Sequence, residues 1–175
     1  MRRVLLLLSL VALPQALTAQ DSRLAGRLDA ITMSAVSSII DSAKADGLPA
    51  EPLVQKALEG ASKRAPGEII VRAVRTLALN LRTVRTALGG NSTDQELLAG
   101  AAALRAGATP DALRELRRLA ESRDLAVPLS VLADLVSQGI EVSAASRSVL
   151  ELARTHANDA DYLRLKQQFE GDRRP

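Results

Sequence analysis

Apolar residues recur at helical spacing along most of the chain, and the breaks between them are short, polar and rich in glycine. Leu24, Leu28, Ile31, Ala35 and Ile39 step by three or four residues, and Val36 and Ile40 widen the same face. Such spacing puts side chains on one side of a helix. It predicts a first helix from Asp21 or Ser22 to about Ala45, closed by Gly47, a residue that adopts positive φ at little cost. Leu53, Val54, Ala57, Leu58 and Ala61 predict a second helix, entered through Pro49 and Pro52. Prolines are tolerated there because first-turn amides have no intrahelical acceptor. Gly60 lies inside this helix and costs about 1 kcal/mol against alanine unless a neighbouring helix needs the space.

The longest run opens at Pro66-Gly67-Glu68 and closes at Gly89-Gly90. With Arg72 at zero and about 100° per residue, Ile70, Ala73, Val74, Leu77, Leu81, Val84 and Leu88 fall between roughly 100° and 200°. On the same wheel Arg72, Arg75, Arg82 and Arg85 fall between roughly 220° and 360°. One face is predicted core, and the other is an arginine stripe.

Five further helices follow by the same logic. Ser92 with Gln95, or Thr93 with Glu96, offers a capping box for the fourth, whose apolar set is Leu97, Leu98, Ala101, Ala102 and Leu104 around Gly100. Thr109-Pro110-Asp111 combines an N-cap, a first-turn proline and an acid that suits the helix dipole. It starts a fifth helix with Leu113, Leu116, Leu119 and Ala120 inward. Asp124 is a candidate cap for a sixth, in which Val127, Leu129, Val131, Leu132, Leu135 and Val136 leave little polar circumference, so it is expected at the centre. A seventh begins near Val142, and Asn158-Asp159 caps an eighth carrying Tyr162, Leu163, Leu165 and Phe169.

The interruptions are themselves periodic. Positions 47, 64, 90, 107, 124, 139 and 156 align as loop positions, most often 17 residues apart, with one step of 15 and one of 26 across the long third helix. Two units make about 34 residues, the length of a helix-turn-helix repeat. The expected fold is all-α: seven to eight short antiparallel helices, in a compact bundle or a short α-solenoid. The tetratricopeptide aromatic signature is missing. Composition agrees, being dominated by Ala, Leu and Arg, with one Phe, one Tyr and no Trp. Good helix formers abound and strand-favouring aromatics are scarce.

The first residues carry a different message. Arg2-Arg3 precede an apolar stretch from Val4 to Leu13, then Pro14 and a small-residue site at Leu17-Thr18-Ala19. That is the layout of a signal peptide cleaved after Ala19, and the stretch is shorter than the roughly 20 residues a span requires. The expected organisation is residues 1–19 as signal peptide, 20–170 as a single all-α domain and 171–175 as a polar tail. The product would be periplasmic or secreted, without a transmembrane segment. Losing Arg2 and Arg3 lowers the formal charge from +3 to +1, so the basic pI gives no case for nucleic acid. Few aromatics argue the same way for single strands. The absence of cysteine leaves disulfides and thiolate metal sites out of account.

The stretch GLPAEPLVQKALEGASKRAPG, from Gly47 to Gly67, continues through Ile70-Val71 into Ala73-Val74-Arg75. It resembles a motif of exported bacterial helical proteins of uncharacterised activity. Ala101 to Gly107 and Leu125 to Asp134 are similar to later parts of the same group. The resemblance implies an exported helical protein and no particular chemistry.

No HExxH, GxSxG, phosphate-binding glycine loop or paired-histidine site occurs. His156 is the one histidine and sits at a helix end, where a dipole partner is the ordinary role. Asp159 and Asp161 are acids of a helix start. No catalytic, cofactor or metal residue is therefore assigned. Residues 61–123 hold 11 basic and 6 acidic side chains, while the flanking segments are net acidic. Arg72, Arg75, Arg82 and Arg85 become the candidate interaction surface. The expected function is a non-catalytic helical-repeat module that binds a protein or peptide. The alternative is a binder of anionic envelope surfaces, such as phospholipid headgroups or acidic polymers, through the arginine face.

Overall fold

The computed structural model describes residues 22–171. The leader, the cleavage site after Ala19 and residues 172–175 of the polar tail lie outside the described residues. Among those described, the chain is all-helical: α1 Ala30–Ala45, α2 Glu51–Ser62, α3 Gly67–Leu88, α4 Asp94–Ala106, α5 Pro110–Ala120, α6 Ala126–Ser137, α7 Val142–Arg154 and α8 Asp159–Gly171.

Helix starts follow local capping chemistry. The Thr93 hydroxyl accepts from the Glu96 amide while the Glu96 carboxylate accepts from the Thr93 amide, so the box at Thr93/Glu96 forms. Thr109 caps α5 with Pro110 in its first turn, and the Asn158 side chain accepts from the amides of Ala160 and Asp161 at α8. Glu141 caps α7 through the amides of Ser143 and Ala144. Two starts differ from the sequence expectation. At α6 the N-cap position is Leu125, without a side-chain cap, and Asp124 one residue upstream accepts only from the Ala126 amide. The other is α1. Residues 22–27 form turns, and α1 begins only at Ala30. Gly26 has φ of 71°, which breaks the helical path. Asp29 then accepts from the amides of Ile31 and Thr32 and from the Thr32 hydroxyl, making it the true cap. Leu24 is nonetheless fully buried, so the turn segment folds onto the core.

Helix ends share one device. Positive φ occurs at Gly47, Arg64, Gly89, Gly107, Glu121, Gly139 and His156. Five of these coincide with the periodic loop positions, and the other two lie one and three residues upstream. In five cases the residue after the positive-φ position donates its amide five residues back: Leu48 to Ala43, Ala65 to Gly60, Ala108 to Ala103, Ile140 to Leu135 and Ala157 to Leu152. This is the Schellman closure, which satisfies carbonyls that the helix leaves open. Every donor is apolar, and Leu48 and Ala108 are buried, so each turn also contributes to the core.

Packing is by alternation. α1, α3, α5 and α7 adjoin in one layer, and α4, α6 and α8 adjoin in a second. That is how helix pairs stack in a short α-solenoid. The tightest pairing is α4 with α6, and α6 buries seven of its residues from Pro128 to Val136, which makes it the central helix its composition predicts. α2 packs on α3 but has no extended contact with α4. The second layer is therefore interrupted between α2 and α4. Two glycines in helix interiors, Gly60 and Gly100, mark close approaches. A Cβ at Gly60 would lie 2.7 Å from Ile70 Cγ1, and one at Gly100 would lie 2.6 Å from Val84 Cγ1. Neighbouring helices do need that space, on α3 in both cases.

Candidate functional site

The four arginines of α3 occupy two settings. Arg82 Nε donates to Asp46 Oδ2 at 2.5 Å and its terminal nitrogen donates to Ser42 Oγ at 2.9 Å. Arg85 donates to the carbonyls of Gly90 at 2.6 Å, Ser92 at 3.1 Å and Gly47 at 3.2 Å. It thereby ties the α1–α2 turn to the α3–α4 turn, and its Nε is buried without a partner. These two arginines hold chain ends of neighbouring helices in place. Arg72 and Arg75 are exposed, and among the described residues neither has an acidic partner. A helical wheel gives direction from one axis only. It does not show that the α1–α2 turn crosses the C-terminal half of this face and leaves the N-terminal half open.

The interruption between α2 and α4 is an open groove of about 480 Å³ floored by α3, within the size range of ligand sites. Ile69, Ala73, Thr76, Leu77 and Asn80 of α3 line it, with Leu98, Ala101, Ala102 and Arg105 of α4, Lys56 of α2, and Arg72 at the rim. Ile69 and Leu98, large apolar side chains that both line this cleft, are each 40% exposed. The groove stays open because the alanine side chains that line it are too short to fill it. Ala73 and Leu77, placed with the core by periodicity, are only partly buried and form this floor. No periodicity signal separates a residue facing a neighbouring helix from one facing a vacant position, so the groove was not visible from sequence. A weak cue existed in Arg72 standing one residue from Ala73 at the edge of the apolar arc.

The electrostatics are one-sided. The groove lining contains three cations and no acid. Lys56 is engaged by Glu59, with Nζ 2.5 Å from Oε2; this bond and a second from Lys63 hold the Glu59 carboxyl down at about 2. Arg72 and Arg105 have no acidic partner among the described residues. Beyond Leu98 lies a second concavity between α4, α6 and α8, lined by Val127, Val131 and the half-exposed Leu163. Leu98 belongs to both, so the apolar strip continues across α4.

Other concavities are polar and structural. His156 lies in a hollow of about 330 Å³ with Arg123, Asp159 and Tyr162. Its Nδ1 is 2.8 Å from an Arg123 guanidinium nitrogen, and its φ of 57° marks it as a helix-closing residue. Burial pushes the Tyr162 hydroxyl above its ordinary value, but no serine, threonine or lysine lines the hollow as a nucleophile. Asp159 and Asp161 stand at the start of α8, where Asp161 accepts from the Asn158 amide. Among the described residues no three His, Asp or Glu side chains cluster to hold a metal ion, and no helix is long and apolar enough to cross a membrane.

A buried ionic node lies near the α3–α4 turn. Glu96 is 3% exposed and accepts from the Thr93 amide at 2.8 Å, the Leu125 amide at 3.0 Å and the Arg117 guanidinium. Arg117 also donates to the carbonyls of Glu121 and Arg123. Burial pushes the Glu96 carboxyl up, but the two amides and the guanidinium more than offset this and hold it below its ordinary value. Arg117 Nε is buried without a partner, but the other bonds of this node run to other parts of the chain, so it fastens the α5–α6 loop onto α4.

Comparison with protein-family models, with curated proteins and with solved structures returns no match to this chain.

Proposed function

We propose that this protein is an exported, non-catalytic helical binding module, and that its ligand surface is the groove between α2 and α4. The observation that carries this is the groove's composition: exposed Ile69 and Leu98 over an alanine floor, edged by Arg72 and Arg105 without acidic partners. Leaving such apolar area in water costs roughly 25 cal/mol per Å², and unpaired cations beside it favour a ligand that is both apolar and anionic. Export is supported by the basic, apolar and small-residue succession from Arg2 to Ala19. The ordinary surface arginines needed for general anion binding are reduced by the engagement of Arg82 and Arg85, which favours the groove over the whole helix face.

Anilinonaphthalene sulfonate, a fluorescent apolar anion, tests this. The native protein should enhance its fluorescence saturably. Leu98→Glu should abolish most of the signal, and the Arg72→Gln/Arg105→Gln pair should weaken binding about fivefold. Equal dye binding by all three proteins, or none by the native protein, would overturn the assignment.

A further inference from the structure

We propose that the occupant of this groove is an amphipathic α-helix of a partner protein, about three turns long, with acidic residues flanking its apolar stripe. The inference rests on the groove being the binding site and adds what fills it.

The shape of the vacancy comes first. In the second layer α4, α6 and α8 lie side by side, whereas α2 and α4 are both seated on α3 without packing along one another. α3 has 22 residues against 12 in α2 and 13 in α4, so it backs more than one second-layer position. Its groove-lining residues run from Ile69 to Asn80, about 16 Å of helix at 1.5 Å per residue. The vacancy is thus floored by α3, walled along one side by α4 and edged on the other by Lys56 of α2, is open on top, and has the length of three turns.

The wall chemistry suits a helix. Ala73 of the floor and Ala101 and Ala102 of the α4 wall are small, which permits the 8–10 Å axial separations of packed helices. Ile69 and Leu98 stand beside the Leu77 floor as contacts for an apolar stripe of i, i+3/i+4, i+7 anchors, the helix-in-groove mode of recognition. An extended chain would bring unpaired amides to a site that offers them almost no acceptors, Thr76 and Asn80 being the polar uncharged lining residues. A helix satisfies its own backbone. Arg72 on one helix and Arg105 on the other then face the flanks of the bound helix, where Asp or Glu would meet them.

The test is a displayed library of helix-favouring peptides of about fourteen residues. Leu, Ile or Phe occupy the anchor positions, and Glu, Lys, Gln and Ala occur equally elsewhere. It is selected on the native protein and counter-selected on Leu98→Glu, beside a second library carrying a central proline. Leu98 is 40% exposed, so that variant keeps its core, which circular dichroism verifies. Native-specific winners should come from the proline-free library with Glu enriched over Lys. A synthetic winner should gain helicity on binding and lose about tenfold in affinity against Arg72→Gln/Arg105→Gln. Equal recovery of proline-broken peptides, or winners without acidic bias, overturns the inference. If the dye occupies the groove while no helical peptide survives counter-selection, the helix is refuted and the groove stands. If dye and peptides both ignore Leu98→Glu, both proposals fall.

Discussion

Replacing Glu96 by alanine should destabilise the protein by about 3 kcal/mol, with the loss traceable to its partners. The carboxylate is almost wholly buried and satisfies two amides, those of Thr93 and Leu125, together with the Arg117 guanidinium. Removing one member of a buried pair usually costs about 3–5 kcal/mol. The Arg117 side chain keeps 21% of its surface in solvent, so water partly re-solvates it and the lower end applies. At about 2–4 °C per kcal/mol for a domain of this size, melting should fall by about 6–12 °C. Glu96→Gln keeps one acceptor oxygen for Arg117 and Leu125 but turns an amide donor toward Thr93, so about half that loss is expected. A cycle with Arg117→Met isolates the pair, and its coupling should exceed about 1 kcal/mol. The pH dependence has a definite sign. Because the folded carboxyl lies below its ordinary value of 4.5, its stabilisation is complete above that pH and fades as pH falls through the folded value. Other carboxyls, Asp29, Glu141 and Asp161 among them, are lowered too, so the informative quantity is native minus Glu96→Gln. That difference in urea midpoint should shrink steadily below pH 4.5. A coupling under about 0.5 kcal/mol, or a difference that ignores pH, would refute the account of Glu96 as an ionic clasp.

Two other outcomes follow from the packing. Gly100→Ala should lower stability by about 1–2 kcal/mol in denaturant melts despite alanine's better helix propensity, because its Cβ would press on the β-branched Val84 at 2.6 Å; a neutral or stabilising result would mean α3 and α4 can separate freely. Arg85→Gln should cost about 1–2 kcal/mol through three lost carbonyl bonds, while Arg72→Gln should leave the urea midpoint within about 0.5 kcal/mol; equal effects would erase the division of the arginine face.

The helices themselves were legible because each rests on local rules. Periodicity located all eight, and Thr93, Thr109 and Asn158 announced their caps by residue type and spacing. Five of the seven recurring loop positions proved to be positive-φ closures, including the non-glycine Arg64 and His156. What was illegible depends on a second element. Gly26 and Asp29 moved the start of α1 because the apolar spacing through Leu24 and Leu28 is compatible with a turn that packs inward. Ala73 and Leu77 carry the same periodic signature as Val74 and Leu81. Only the missing contact between α2 and α4 makes them a groove floor. Arg82 and Arg85 differ from Arg72 solely in which turn passes over them.

α1 and α2 make their extended contacts with α3 and with each other. In a stacked architecture stability is a sum over neighbours, and the end of the stack can open while the remainder persists. Here that end unit supplies Lys56 at one edge of the proposed groove, so a molecule whose α1–α2 hairpin has swung away from α3 retains most of its core and leaves that edge of the groove open. Binding energy would accordingly be spent in part on holding the amino-terminal hairpin closed. Occupancy and the ordering of that hairpin are then two views of one equilibrium.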